Sequence, residues 1–159
     1  MKNMTVSELI TYDSTAGRET AKRLKIRLNP GKVFRLRKAR WYTMGIWVPA
    51  VSGVYLGYVV ARDNVVARQS VDLPALWEWM KSEDVVARYM ANTVQASAIG
   101  LVTKGYPHEV DYGDGLDMYG DATLLSWSGV SANTSYLAVE LFGEIVKADS
   151  EHLFKVGMK

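Results

Sequence analysis

The sequence predicts an all-β protein, a sandwich or barrel of short strands with one or two short helices in the connections. Three observations lead there. Apolar and polar residues alternate with a period of two, as in Arg23-Leu24-Lys25-Ile26-Arg27-Leu28 and in the long strand-like run from Ser135 to Val146. That period belongs to strands with one face on a core and the other facing out. Turn signals punctuate the runs at Asn29-Pro30-Gly31, Ser52-Gly53 and Gly129 to Ser135. Helix-start signals are confined to the middle of the chain, so many short strands and few helices remain.

Taken in order, residues 1–20 read as a polar N-terminal arm with a short amphipathic turn at Val6 to Ile10. A first strand is expected over Lys22–Leu28, stopped by the Asn29-Pro30-Gly31 turn. Lys32 to Arg40 is ambiguous between strand and helical turn, and a second strand runs from Arg40 to Val48 until Pro49. Gly53 to Arg62 carries apolar residues on both sides, which predicts a central strand. Asp72-Leu73-Pro74 opens a short helix through Lys81, with Asp72 as cap and proline in the first turn. Ser82-Glu83-Asp84 could cap a second helix, although Val85 to Met90 could equally be a strand. Val94 to Val102 reads as β, the Gly-rich acidic stretch Asp111 to Asp121 as a loop, and Thr123 to Val130 as a strand. Leu125 and Trp127 are expected to share a face with Leu137, Val139, Leu141 and Ile145 of the last strand.

The 159 residues suffice for one domain with a real core, and nearly half are apolar, which excludes a disordered chain. There is no cysteine, so disulfides, thiolate metal sites and a cysteine nucleophile are excluded. No apolar run is long enough to span a bilayer, and the first twenty residues carry no signal-peptide core, which points to an intracellular protein without a membrane partner.

The net charge of +2 hides a strong asymmetry. The first forty residues hold eleven cations and three anions, a net +8, whereas the other 119 hold eight cations and fourteen anions, a net −6. Nine of the cations, Lys22, Arg23, Lys25, Arg27, Lys32, Arg35, Arg37, Lys38 and Arg40, fall in one short stretch. A cationic ribbon on a rigid sheet presents itself to polyanions, above all nucleic acid, so these nine are the candidate nucleic-acid-binding residues. The plainer alternative is a set of solvated charges blunting an edge strand.

Catalytic chemistry finds little to build on. His108 and His152 are the only histidines, no nucleophile–base constellation stands out, and an enzyme is not expected. Asn29-Pro30-Gly31-Lys32 lacks the spacing of a phosphate loop. No cofactor is expected. The one candidate metal site is the set Asp111, Asp114, Asp117 and Asp121, whose glycine-interleaved carboxylates could hold Ca²⁺, with a solvated acidic loop as the alternative. Trp79 and Met80 are the candidate subunit-interface residues, because large aromatic and Met side chains favour interface centres and helical spacing turns Trp79 away from Trp77.

The order of the motifs resembles a known family. Leu28-Asn29-Pro30-Gly31 precedes a basic connector and a strand ending in Val48-Pro49. Ser52-Gly53 leads into Val54-Tyr55-Leu56-Gly57-Tyr58, followed by Arg62-Asp63. Leu124-Leu125-Ser126-Trp127-Ser128-Gly129 and Tyr136-Leu137-Ala138-Val139-Glu140-Leu141 come last. This series, over roughly residues 22–147, is similar to the shell domain of small icosahedral virus coat proteins of the tombusvirus and sobemovirus kind. The resemblance implies an eight-stranded antiparallel jelly-roll sandwich, with residues 21–159 as a single shell domain after the arm. It implies a capsid protein of the virion that self-assembles into an icosahedral homo-oligomer in the host cytoplasm and packages genomic RNA on a basic inner surface. A non-capsid nucleic-acid-binding β-barrel is the alternative expectation.

Overall fold

The computed structural model describes residues 2–12, 19–45, 53–68, 72–95, 101–102, 108–128 and 135–149. They form strands β1 (Lys2–Tyr12), β2 (Glu19–Leu24), β3 (Lys32–Gly45) and β4 (Gly53–Val60), helix α1 (Leu73–Met80), and strands β5 (Val85–Gln95), β6 (Leu101–Val102), β7 (His108–Met118), β8 (Ala122–Ser128) and β9 (Ser135–Lys147). One sheet has the order β1-β9-β3-β7 and the other β2-β8-β4-β5, with the two-residue β6 beyond β5. The antiparallel pairs β1–β9, β2–β8, β3–β7 and β4–β5 are nested, outermost with outermost. That is one long hairpin rolled over on itself, so eight principal strands make a jelly-roll sandwich.

Alternation decides which residues fill the space between the sheets. Val6 and Ile10 of β1, Phe34, Leu36, Ala39 and Trp41 of β3, and Leu137, Val139 and Leu141 of β9 meet Leu24, Val59, Ala87, Ala122 and Leu124 from the opposite sheet. A Cβ at position 57 would collide with Leu137 and the Trp41 ring, so Gly57 lets the sheets approach at this point. The five-stranded sheet is buried on its outer face too. There Leu56, Tyr58, Val60, Val85, Leu125 and Trp127 pack against Leu76 and Met80 of α1. Asp72 caps this helix as expected, accepting the Ala75 amide at 2.8 Å.

Several expectations change. Residues 2–12, read as part of a polar arm, form edge strand β1 along β9 with Val6 and Ile10 buried. The expected strand Lys22–Leu28 is displaced to Glu19–Leu24. The two expected segments from Lys32 onward are one strand, because a bulge between Leu36 and Lys38 restores the inward phase after Arg37. Of the two readings open for Val85 to Met90 the strand holds, as β5, and residues 111–118 of the expected Asp111 to Asp121 loop belong to strand β7. Their glycines and acids suggested a loop, but the backbone bulges at Gly115 (φ +97°), where a Cβ would strike the Arg35 side chain, and two of the strand's acids, Glu109 and Asp117, pair with β3 cations. Leu125 and Trp127 face α1, not the last strand. β8 is apolar on both sides, and alternation alone cannot choose between two buried faces. The expectations at Val48-Pro49 and Gly129 to Thr134 lie outside the described residues.

Candidate nucleic-acid interface

The nine candidate cations do not form one uniform ribbon. β3 lies between β9 and β7, and both neighbours supply carboxylates to it. Arg35 donates to Asp117 from Nε at 2.8 Å and from Nη2 at 3.3 Å. The hydrogen bond and charge of Asp117 push the Arg35 pKa up. Arg37 pairs with Glu144 and donates to the Gly113 carbonyl at 3.0 Å. Lys38 and Arg40 converge on Glu109 at 3.1 and 2.8 Å. The hydrogen bond from Arg40, reinforced by Lys38, holds the Glu109 carboxyl below its ordinary range. Arg40 also lies over the Phe142 ring, 4.9 Å from its centre. On β2, Lys22 binds Glu8 at 2.8 Å, and Arg23 reaches Asp121 and Asp63. Six of the nine are therefore tied to carboxylates of the same chain, which builds a lattice of cross-strand pairs.

The other three behave differently. Lys25, Arg27 and Lys32 are exposed and pair with no carboxylate among the described residues. Arg27 and Lys32 line a half-open cleft of about 530 Å³ together with Lys2, Asn29 and Ile145. Lys147 stands opposite Lys32 in the β3–β9 register. Lys2, one of the eleven N-terminal cations, and Lys147 both lie outside the basic stretch that supplies the nine candidates. The available signal for this pair was that each sits at the outer end of an alternating strand.

No protein-family model matches the chain, and no curated protein matches it. The solved structures similar to it include two of the capsid protein of BFDV, a circovirus. The decameric form is 10% identical with a TM-score of 0.41, over 91% of this chain and 98% of that one. The 60-mer form is 10% identical with a TM-score of 0.36, over 92% and 93%.

The four aspartates do not converge. Asp117 is bound to Arg35. Asp121 accepts the Ile26 amide at 2.8 Å and pairs with Arg23, and Asp111 accepts the Gly113 amide at 2.8 Å. No group of three or more possible ligands occurs among the described residues, so the geometry does not assemble the Ca²⁺ site that the spacing raised. His108 is exposed and tilts against Tyr89, which stacks on buried Trp41 at 5.7 Å. His152 lies outside the described residues.

Helix α1 reverses the expectation for its tryptophans. Leu76, Met80 and, partly, Trp79 form the inward stripe at i, i+3 and i+4, while Leu73 and Trp77 form the outward one. Met80 is buried within the subunit, and the Arg68 guanidinium covers the Trp79 ring. Trp77 is 58% exposed. Among the described residues, no helix is long and apolar enough to cross a membrane.

Proposed function

We propose that the chain is a viral coat protein, a structural and non-enzymatic component of a virion, whose copies assemble into an icosahedral shell around nucleic acid. The observation that carries this reading is the nested jelly-roll pairing combined with an outward apolar pair, Leu73 and Trp77, on its helix. Leu76 and Met80 of α1 already pack on Leu56, Tyr58, Leu125 and Trp127 of the five-stranded sheet, so the outward pair is surplus to that cluster. Exposed patches of large apolar residues mark association surfaces. The tombusvirus and sobemovirus resemblance adds support, since its motifs fall on the fold in order. The Asn29-Pro30-Gly31 turn precedes β3, Val54 to Tyr58 lies in β4, and Tyr136 to Leu141 lies in β9. The genome in this reading is RNA, and assembly takes place in the host cytoplasm.

Electron microscopy and sedimentation of the purified full chain test the reading. Closed particles of megadalton mass are expected. A monodisperse monomer or small oligomer at every protein concentration would overturn the shell and leave a nucleic-acid-binding sandwich.

A further inference from the structure

We infer that the cleft at the open end of the sandwich, lined by Lys2, Arg27 and Lys32, binds backbone phosphates of nucleic acid, and that it carries polyanion binding in place of the full nine-residue ribbon. The inference rests on the coat-protein reading for the identity of the polyanion, and its geometry stands apart from that reading. Three adjacent strands end their core-facing rows at this one place. On β1 the inward series is Met4, Val6 and Ile10, and the position before it is Lys2. On β3 it is Phe34 and Leu36, preceded by Lys32. On β9 it is Leu137, Val139 and Leu141, and the same phase leads through Ile145 to Lys147. Alternation therefore delivers three ammonium groups to the same sheet face where the core stops, and Arg27 joins two of them at the cleft.

The turn beside the cleft is held in place. The Lys32 amide donates to the Asn29 carbonyl at 3.1 Å, Pro30 and Gly31 (φ +75°) occupy the corner, and the Ala148 amide donates to the Gly31 carbonyl at 2.8 Å. Proline followed by a left-handed glycine suits a type II turn. Asn29 and Lys32 are thus presented from a backbone anchored to the end of β9. Cations gathered in one cleft repel one another, and among the described residues Lys2, Arg27 and Lys32 form no ion pair with a carboxylate. An anion in the cleft converts that repulsion into attraction. Among the described residues the lining holds three cations, one amide and Ile145, with no aromatic ring for a base to stack on. That chemistry suits phosphodiester contacts without sequence readout.

The test uses the full chain below its assembly concentration and a fluorescent twenty-nucleotide oligothymidylate as probe, with binding followed by anisotropy across a salt series. Each phosphate contact to a single strand contributes a slope of about 0.7 in log K against log salt. The double variant Arg27→Gln/Lys32→Gln should lose about 1.4 of that slope, and Lys2→Gln/Lys147→Gln should lower it as well. Lys81→Gln, a helix-end lysine paired with Glu78, should leave it unchanged. Both cleft variants change exposed side chains, and native circular dichroism confirms that they fold. An unchanged slope in both would overturn the inference. So would complete displacement of the probe by inorganic phosphate at the same phosphate concentration, since the cleft would then be a site for free phosphate. Particle formation is read separately by sedimentation. Assembly into empty particles by the Arg27→Gln/Lys32→Gln variant supports both readings, whereas salt-sensitive binding by a chain that never assembles keeps the cleft and removes the shell.

Discussion

Glu19 shows how a single side chain can hold the outer layer in place. Its carboxylate is fully buried and accepts three bonds from Arg68, from the backbone amide at 3.2 Å, Nε at 2.9 Å and Nη2 at 2.8 Å. The same guanidinium donates to the Tyr58 hydroxyl at 3.1 Å and lies over Trp79. One ion pair thus ties β2 to the segment that leads into α1. Charged hydrogen bonds contribute about 1.5–3 kcal/mol each, and the half-solvated Arg68 keeps the loss near the lower end. Glu19→Ala should lower the unfolding free energy by about 2 kcal/mol in urea titration. Glu8→Ala, which removes the exposed pair with Lys22, should cost less than about 1 kcal/mol. Equal costs would show that burial does not separate the two pairs. Gly57→Ala should cost about 1–3 kcal/mol, since the added methyl meets the buried Leu137 and Trp41 side chains.

At the scale of elements, charge pairing explains what the sequence hid. β3 was ambiguous and β7 looked like a loop for one shared reason. Each is rich in charge and reads as solvated alone, yet Arg35 meets Asp117 and Arg40 meets Glu109 once the two pair. Propensity cannot see a partner seventy or eighty residues away. The inward rows of β9 and the double-sided burial of β4 were legible, because apolar alternation is local. The facing of β8 was not, since a strand apolar on both sides carries no phase. Likewise Lys2 and Lys147 gain meaning only when nesting brings both chain regions beside Lys32.

The Glu109 pairing also has a pH signature. Its folded-state pKa lies below the ordinary 4.5, so the folded protein holds fewer protons than the unfolded chain in that range. The contribution is complete above about pH 4.5 and fades as pH falls through the lowered value. The melting-temperature gap between the parent and Glu109→Gln should therefore be constant near neutrality and close on acidification. A gap that persists in strong acid would show that the carboxylate charge is not its source.

For the whole molecule, the question is which surfaces the rolled hairpin leaves for other copies. The four-stranded sheet meets solvent through its lattice of ion pairs, and the five-stranded sheet is roofed by α1. The roof itself carries Leu73 and Trp77, 45% and 58% exposed, one helical turn apart. If this pair sits at a contact between subunits, its removal should spare the subunit and cost the assembly. Trp77→Ala should keep native circular dichroism and an unchanged unfolding midpoint while its sedimentation coefficient drops to that of small species. Trp79→Ala should do the reverse, because its ring lies between Arg68 and the apolar outer face. Truncating a buried large side chain costs about 3–5 kcal/mol, with the lower end expected for a half-buried ring. Subunits of that variant that remain folded should still form particles. Wild-type assembly by Trp77→Ala would remove the helix from the contact surface, and a folded, non-assembling Trp79→Ala would return the contact to the residue that helical spacing first suggested.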